Sequence, residues 1–230
     1  MTYKKTLINS IEPNFIFSKK PLNRLTLKEL SIGNRNLLKI DQLNALKEKI
    51  NSIQNCNLKK NSSSIVMGDG NIDSPIMIIG EAPGFEEEKV CKTFQGESGL
   101  LLERMLLAIN LRREKTYSSY AVNFRPPDDR KPTTKEIKRY SNFLKEHISI
   151  INPQIIILFG STAMESMISA NKKISDERGK WKEIIIKKKT YQLIITFSPS
   201  YLIRFPENKK YSWEDLKNIR QKIKNLKLSI

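Results

Sequence analysis

The sequence predicts an α/β fold, a three-layer α/β/α sandwich around a mostly parallel four-stranded sheet. Short apolar runs alternate along the chain with stretches of helical periodicity, an order typical of parallel strands joined by helices. The apolar runs are nearly continuous, as expected for strands that are buried on both faces. The runs are predicted as strands at residues 75–80, 154–160 and 191–197, and residues 116–124, which are less apolar, have strand character and are predicted as a fourth strand.

Predicted helices separate these strands. Each has apolar residues at helical spacing, and they cover residues 97–111, 133–152, 161–170 and 212–228. Residues 183–189 are predicted to form a hairpin with the last strand. The segment "SIVMGDGN" is a candidate for one further short strand that ends in an Asp-Gly turn.

The N-terminal part of the chain has weaker periodicity. Residues 1–35 predict an irregular or partly helical lead-in, and residues 41–55 predict a helix with Asp41 as its N-cap. The chain of 230 residues is long enough for one domain with a sizeable core and an extension. We therefore expect a lead-in at residues 1–55 and a folded domain at residues 56–230.

The composition is strongly basic. With 41 Lys and Arg against 24 Asp and Glu, the formal net charge is +17, which suggests a partner that carries phosphate. No apolar run approaches the roughly 20 residues that span a bilayer. The N-terminus has lysines but not the apolar core of a secretory signal. We expect a monomeric cytoplasmic protein with no membrane partner.

The residues that most often bind metals are scarce. Cys56 and Cys91 are the two cysteines of the chain, and two thiolates cannot form a four-thiolate site. We expect both to be free thiols. His147 is the single histidine, lies in a predicted helix, and is expected to have a structural role.

Polar loops follow each predicted strand, where ligands bind in open α/β sheets. The loops read "GEAPGFEEE", "NFRPPDDR", "GSTA" and "SPSYLIR". The first places carboxylates beside a glycine turn and is followed by Phe94; by itself it also fits a surface loop with acidic capping residues. The others offer Arg, Ser and Gly for phosphates, and an apolar segment with an arginine at its end.

Together the loops predict an enzyme that acts on a base in DNA. An apolar wedge can displace a base from the duplex, and an aromatic ring can stack on it. A carboxylate can orient water and stabilise the cationic sugar that forms as the glycosidic bond breaks.

Six motifs in order resemble the family 4 uracil-DNA glycosylases. They are "GEAPGFEEE", "FQGESGLLL", "RPPDDRKP", "IIILFGSTA", "RG" at 178–179 and "SPSYLIR" with the "WEDL" that follows it. The resemblance runs from about Cys56 to Leu216. It implies an α/β/α sandwich that flips uracil out of DNA and hydrolyses its N-glycosidic bond in base excision repair, with uracil-containing DNA as partner.

The resemblance also implies roles for individual residues. The implied catalytic residues are Glu81, Glu87 and Ser198. Those implied to contact the base are Ala82, Phe94, Tyr120 and Asn123. Those implied to contact DNA, with Tyr201 and Leu202 as the wedge, are Ser98, Gly99, Arg125, Ser161, Ser200, Tyr201, Leu202 and Arg204.

The chain departs from the family pattern at both residues that would handle the base. Ser198 stands where the family has a histidine that hydrogen-bonds the departing uracil. Tyr120 stands where the family reads the uracil edge with an asparagine, and Asn123 is the nearest amide. A tyrosine hydroxyl lacks the paired donor and acceptor of an amide.

The family usually holds an iron-sulfur cluster on four cysteines, and here Cys56 alone lies near one of those positions. Phe124 and Tyr140 stand at two others. Because a cluster needs its thiolates, we expect no cofactor and no metal, with aromatic packing in the place of the cluster.

Three functions therefore stay open. The first is a cluster-less, monofunctional uracil-DNA glycosylase with reduced activity. The second is a diverged protein that binds DNA or uracil with little turnover. The third is an enzyme for another damaged base or for a nucleoside, for which Tyr120 would reshape the pocket.

Overall fold

The computed structural model describes residues 24–168 and 172–228. The predicted lead-in at residues 1–23 and the end of the predicted helix 161–170 lie outside the described residues. The chain divides into two compact units, Met1–Leu37 and Leu38–Ile230. The predicted boundary between residues 55 and 56 stays a prediction.

Strands and helices alternate as predicted. The strands are β1 (Gly68–Gly70), β2 (Ile76–Gly80), β3 (Tyr117–Tyr120), β4 (Ile155–Phe159), β5 (Lys182–Ile186) and β6 (Lys189–Thr196). The helices are α1 (Arg24–Asn51), α2 (Asn57–Asn61), α3 (Phe85–Val90), α4 (Gly96–Leu107), α5 (Thr134–Ile151), α6 (Ser161–Met167), α7 (Ile174–Glu177), α8 (Pro199–Arg204) and α9 (Lys209–Asn225).

The sheet confirms the predicted α/β class and has two more strands than the four predicted. Within the described residues its order is β1-β3-β2-β4-β6-β5. The four predicted strands, β3, β2, β4 and β6, are parallel neighbours at its centre. The additional strands are antiparallel edges: β1 pairs with β3, and β5 forms the predicted hairpin with β6.

Helices cover both faces of the central strands. Along β2, Ile76 and Ile78 pack in one apolar cluster with residues of α4, α8 and α9. Met77 and Ile79 pack in a second cluster with residues of α5 and α6. This alternation explains why the strand is apolar at every position, and it gives the three layers that the sequence predicts.

The helix α1 starts earlier than predicted. It begins at Arg24 and continues through Asp41, so the predicted N-cap at Asp41 is wrong. Its last turns bury Leu46 and Ile50 in a third cluster with Tyr140 of α5. Among the described residues, no helix is both long enough and apolar enough to cross a membrane.

The histidine lies inside the fold. His147 is buried, with Nε2 2.9 Å from the Tyr117 hydroxyl and Nδ1 3.4 Å from the Ser119 hydroxyl. Burial lowers its pKa to about 4. The ring is therefore neutral at physiological pH, in agreement with the structural role predicted for it.

A buried ion pair holds the end of β6 to α9. Asp215 is 1% exposed and accepts hydrogen bonds from Arg178 Nη2 at 2.6 Å and from the Thr196 hydroxyl at 2.8 Å. Burial raises the pKa of Asp215 to about 6, against the opposing effects of Thr196 and Arg178. Because Thr196 is the last residue of β6, this network fixes the start of the loop that carries Ser198.

We expect Arg178→Met to destabilise the protein by about 3–5 kcal/mol, because the buried carboxylate of Asp215 loses its counter-charge. The folded-state pKa of Asp215 lies above its ordinary value. This group therefore favours folding at low pH and loses that contribution as the pH rises through about 6. In the variant this pKa rises further, so the loss of stability should be larger above about pH 7 than below about pH 5.

Urea unfolding of both proteins at the two pH values measures this difference. The double variant Arg178→Met/Asp215→Asn is the control, since it has no carboxyl group to titrate. An equal loss at both pH values in the single variant would contradict the assignment.

Candidate active site

The carboxyl ends of the parallel strands surround a cavity of about 490 Å³. Volumes of about 300–1,000 Å³ are usual for small-molecule sites. The lining comes from within segments 80–87, 94–98, 126–131 and 198–204, with Tyr120 and Phe159. Three of the four predicted loops therefore meet here, together with the segment that opens α4.

Two aromatic rings close over the end of β2. The centroids of Phe94 and Tyr120 are 5.2 Å apart, and Phe159 meets Phe94 edge-on at 6.3 Å. A Cβ atom on Gly80 would lie 2.7 Å from the Phe94 ring and 2.8 Å from the Tyr120 ring. Glycine is thus required for the rings to approach, and the result is an aromatic wall that suits a planar ligand.

The backbone of Phe94 is held from both sides. Its N–H donates to the Tyr120 hydroxyl at 2.7 Å, and its carbonyl accepts from Arg113 Nη1 at 2.9 Å. A Cβ atom on Gly99 would lie 2.0 Å from the same carbonyl oxygen. Gly99 therefore packs against the support of Phe94 and does not line the cavity, so the geometry gives no support to its predicted contact with DNA.

Glu81 is a half-buried carboxylate at the cavity. Burial raises its pKa above the ordinary value, while the charge of Lys131, a hydrogen bond from Thr162 and the charge of Arg204 oppose this rise. A Cβ atom on Gly160 would lie 3.9 Å from Glu81 Oε2 and 3.2 Å from Ser198 Cβ. Glu81 and Ser198 therefore flank the same point on the cavity wall.

Glu87 also lines the cavity, but both of its oxygens have backbone partners. Oε2 accepts from the Gly84 N–H at 3.0 Å, and Oε1 accepts from the Gln95 N–H at 2.9 Å. The carboxylate thus joins the start of α3 to the start of α4. These contacts favour a positioning role for Glu87 over the catalytic role predicted for it.

Ser198 is the N-cap of α8. Its Oγ accepts from the Tyr201 N–H at 3.3 Å and lies 3.1 Å from the Ser200 hydroxyl. The side chain lines the cavity, as predicted. Its cap contact sets the direction in which α8 leaves the strand.

Tyr201 and Leu202 do not project from the surface as the predicted wedge, because both pack against other residues. Tyr201 stacks with Phe197, with ring centroids 4.9 Å apart, and meets Phe205 in a tilted contact at 4.9 Å. Leu202 lies on another face and is buried in the core at 1% exposure. Phe205, which the prediction missed, is the exposed ring of this stack at 45% exposure.

Three further predicted residues do not line the cavity. The Asn123 amide is buried and donates to the Val66 carbonyl at 3.0 Å, so it does not reach the cavity. Arg125 donates to both carboxylate oxygens of Asp129, at 2.7 and 3.0 Å, and its charge is thereby compensated. Ser161 opens α6 and does not line the cavity.

The remaining six predicted residues all line the cavity, namely Ala82, Phe94, Tyr120, Ser98, Ser200 and Arg204. The lining also includes Asp129, Arg130 and Lys131, which were not among the predicted site residues. Lys131 carried no signal of its own in so lysine-rich a sequence. Its place within the motif "RPPDDRKP" is the sequence signal that points to it.

Comparison with known proteins gives a consistent result. A model of the uracil DNA glycosylase superfamily matches residues 67–217. A type-4 uracil-DNA glycosylase of Thermotoga maritima is 36% identical over 180 residues, which cover 77% of this chain and 92% of that protein. A type-4 uracil-DNA glycosylase of Archaeoglobus fulgidus is 30% identical over 184 residues, 78% of this chain and 92% of that protein. One of Sulfurisphaera tokodaii is 33% identical over 190 residues, covering 79% and 85%.

We expect the carboxyl carbon of Glu81 to titrate by NMR above the ordinary glutamate pKa of about 4.3. Lys131→Met should raise this pKa further, because it removes the largest charge that favours the ionised form. Glu81→Gln identifies the resonance. Lys138→Met, which removes the same charge from an exposed position on α5, is the matched control. If the pKa of Glu81 is the same in the two lysine variants, Lys131 does not act on Glu81.

Proposed function

The chain belongs to the type-4 family of the uracil DNA glycosylase superfamily, and we propose that its cavity excises uracil from DNA by hydrolysis of the N-glycosidic bond. The observation that carries this proposal is the ionisable Glu81 beside the Phe94 and Tyr120 rings, at the meeting point of the predicted loops. The aromatic rings can hold a planar base, and the carboxylate of Glu81 can act on the sugar that bears it.

Binding begins with extrusion of the nucleotide. An enzyme that acts on a base must take it out of the stack, because the reacting atoms are inaccessible inside a duplex. A cavity of about 490 Å³ accommodates one pyrimidine nucleotide. The base stacks on Phe94, whose backbone is fixed by Tyr120 and Arg113.

Hydrolysis then breaks the bond between C1′ of the sugar and N1 of uracil. The electron pair of this bond leaves with the base, so negative charge develops on uracil and positive charge on the sugar. The ionised Glu81 stabilises the sugar cation and orients the water that adds to C1′. The proton that this water loses balances the negative charge on the departing uracil. Lys131 and Arg204 counteract burial and favour the ionised carboxylate that this step needs.

The departing base receives weaker stabilisation than a histidine would supply. Ser198 is neutral and short, and its Oγ already accepts the Tyr201 N–H. Loss of one donor to a developing anion costs about 10²–10³ in rate. We therefore propose a uracil-DNA glycosylase of reduced turnover.

Tyr120 supports a second candidate function, excision of another damaged base. The hydroxyl oxygen of Tyr120 accepts from the Phe94 N–H, so only the hydroxyl proton is left to form a hydrogen bond with the edge of a base. With Asn123 turned away from the cavity, no side-chain amide among the lining residues reads the base. A panel of damaged bases in the same oligonucleotide decides between the two substrates.

The proposed partner is the DNA that carries the damaged base. Lys131 and Arg204 are exposed cations at the cavity, whereas Arg130 is paired with Glu136 at 2.8 Å. Such cations bind phosphates in a salt-dependent way. Since one chain supplies the whole lining, we propose that it acts as a monomer, and its action in the cytoplasm stays a prediction.

The residues present do not fit an iron-sulfur cluster. The chain has two cysteines, and Cys56 Sγ lies 3.3 Å from the Tyr140 hydroxyl. Phe124 meets Tyr140 edge-on with ring centroids 6.4 Å apart. Within residues 24–168 and 172–228, no group of three or more His, Cys, Asp or Glu is placed to hold a metal ion. We propose that aromatic packing replaces the cluster.

A labelled oligonucleotide with one uracil tests the function. Purified protein in excess is incubated with it, and alkali then cleaves the strand wherever a base has been removed. Cleavage at uracil, with none at a thymine control, supports the proposal. Binding without cleavage at any base tested would support the low-turnover DNA-binding alternative.

Glu81→Ala should lower the single-turnover rate by about 10²-fold or more, because it removes the group that acts on water and sugar. The dissociation constant for the same DNA should change much less. Fluorescence anisotropy measures binding and the alkali assay measures turnover. Equal losses in both would exclude a catalytic role for Glu81.

Ser198→His should raise the rate of uracil excision by up to about 10²-fold, because it restores a donor to the departing base. Ser200→His places the same ring two residues further on and is the matched control, with no gain expected. If Ser198→His brings no gain either, the pocket has been rebuilt for another base.

A further inference from the structure

Phe85 is an exposed apolar ring next to a loop that lines the cavity. It is the first residue of α3, directly after Gly84, which lines the cavity, and it is 54% exposed. Single exposed apolar residues are common on proteins. Phe85 differs from these because charged side chains hold its ring in place.

The guanidinium of Arg125 lies 5.2 Å from the centroid of the Phe85 ring. Arg125 is itself fixed by two hydrogen bonds to Asp129 and by Glu88 at 3.5 Å. Asp129 lines the cavity, and a Cβ atom on Gly84 would lie 3.7 Å from its Oδ1. The ring is thus supported by a bridge between the β2 loop and the "RPPDDR" loop, and one face is occupied by a cation whose charge is compensated.

The order of the strands relates the place of Phe85 to that of Phe205. Since β4 lies between β2 and β6, the ends of β2 and β6 are about 10 Å apart. Phe85 follows β2, and the exposed Phe205 follows β6 on the segment that contains Arg204. A DNA strand that places one nucleotide in the cavity and runs across both loops would bring its neighbouring bases towards these rings.

We propose that Phe85 is a stacking platform for the base next to the extruded nucleotide, and that it favours single-stranded over double-stranded DNA. The proposal rests on the proposed function, which places a nucleotide in the cavity. In a duplex the neighbouring base is paired and stacked, so its face is not free. In a single strand the same base can lie on an aromatic ring, whatever its sequence.

The test measures binding of a fluorescent single strand with one uracil, in the Glu81→Ala background so that the base stays attached. Phe85→Ala should weaken this binding by about 5- to 100-fold, and Phe85→Trp should retain it. Binding of the matching duplex should change little. Ile185→Ala, which truncates a side chain that is 76% exposed on β5, is the control.

A second arm removes the partner instead of the ring. The base on one side of uracil is replaced by an abasic residue, and then, in a second oligonucleotide, the base on the other side. In the protein that retains Phe85, only one of these two replacements should weaken binding. In Phe85→Ala the same replacement should have no further effect. Equal weakening of single strand and duplex by Phe85→Ala, a loss no larger than that of Ile185→Ala, or additive losses in the second arm would overturn the proposal.

The two proposals fail in different ways. If the protein with Glu81 intact excises no uracil from either form of DNA, the proposed function is wrong. The binding measurements still decide whether Phe85 contacts a base. If excision occurs but Phe85→Ala does not discriminate single strand from duplex, the stacking platform alone is wrong.

Discussion

The hydrogen bond from the Phe94 N–H to the Tyr120 hydroxyl is the contact on which the site depends. It joins the segment before α4 to the end of β3 and holds both rings over Gly80. The same contact occupies the hydroxyl oxygen of Tyr120, so that only the hydroxyl proton is left for a base. Tyr120 therefore has a structural task, and in the proposed function recognition of the base relies more on stacking and shape.

Charge compensation decides which groups at the cavity are available for chemistry. Both oxygens of Glu87 accept backbone N–H groups, and Arg125 is neutralised by Asp129. Burial instead raises the pKa of Glu81, and the charge of Lys131 opposes this rise. Among the predicted catalytic residues, this leaves Glu81 with the ionisable group that can respond to a substrate, while the paired groups hold the loops around it.

Aromatic contacts hold several parts of the structure in place. Tyr140 packs between Phe124 and Cys56, in the region where the family resemblance implies a cluster. At the rim, the exposed rings of Phe85 and Phe205 belong to braced structures, one held by Arg125 and one by Tyr201. Rigid rings bind with little loss of side-chain entropy, which suits contacts with bases of any sequence.

The sequence by itself determined the parallel centre of the sheet, the loops of the site and the presence of Glu81 and Phe94 there. Periodicity and turn residues are local signals, and the order of the motifs along the chain is visible in the sequence as well. The tertiary structure decided that Leu202 is buried and Phe205 exposed, and that Asn123 turns towards Val66. Those outcomes depend on which face of a helix or loop meets the core, and packing against distant segments sets that face.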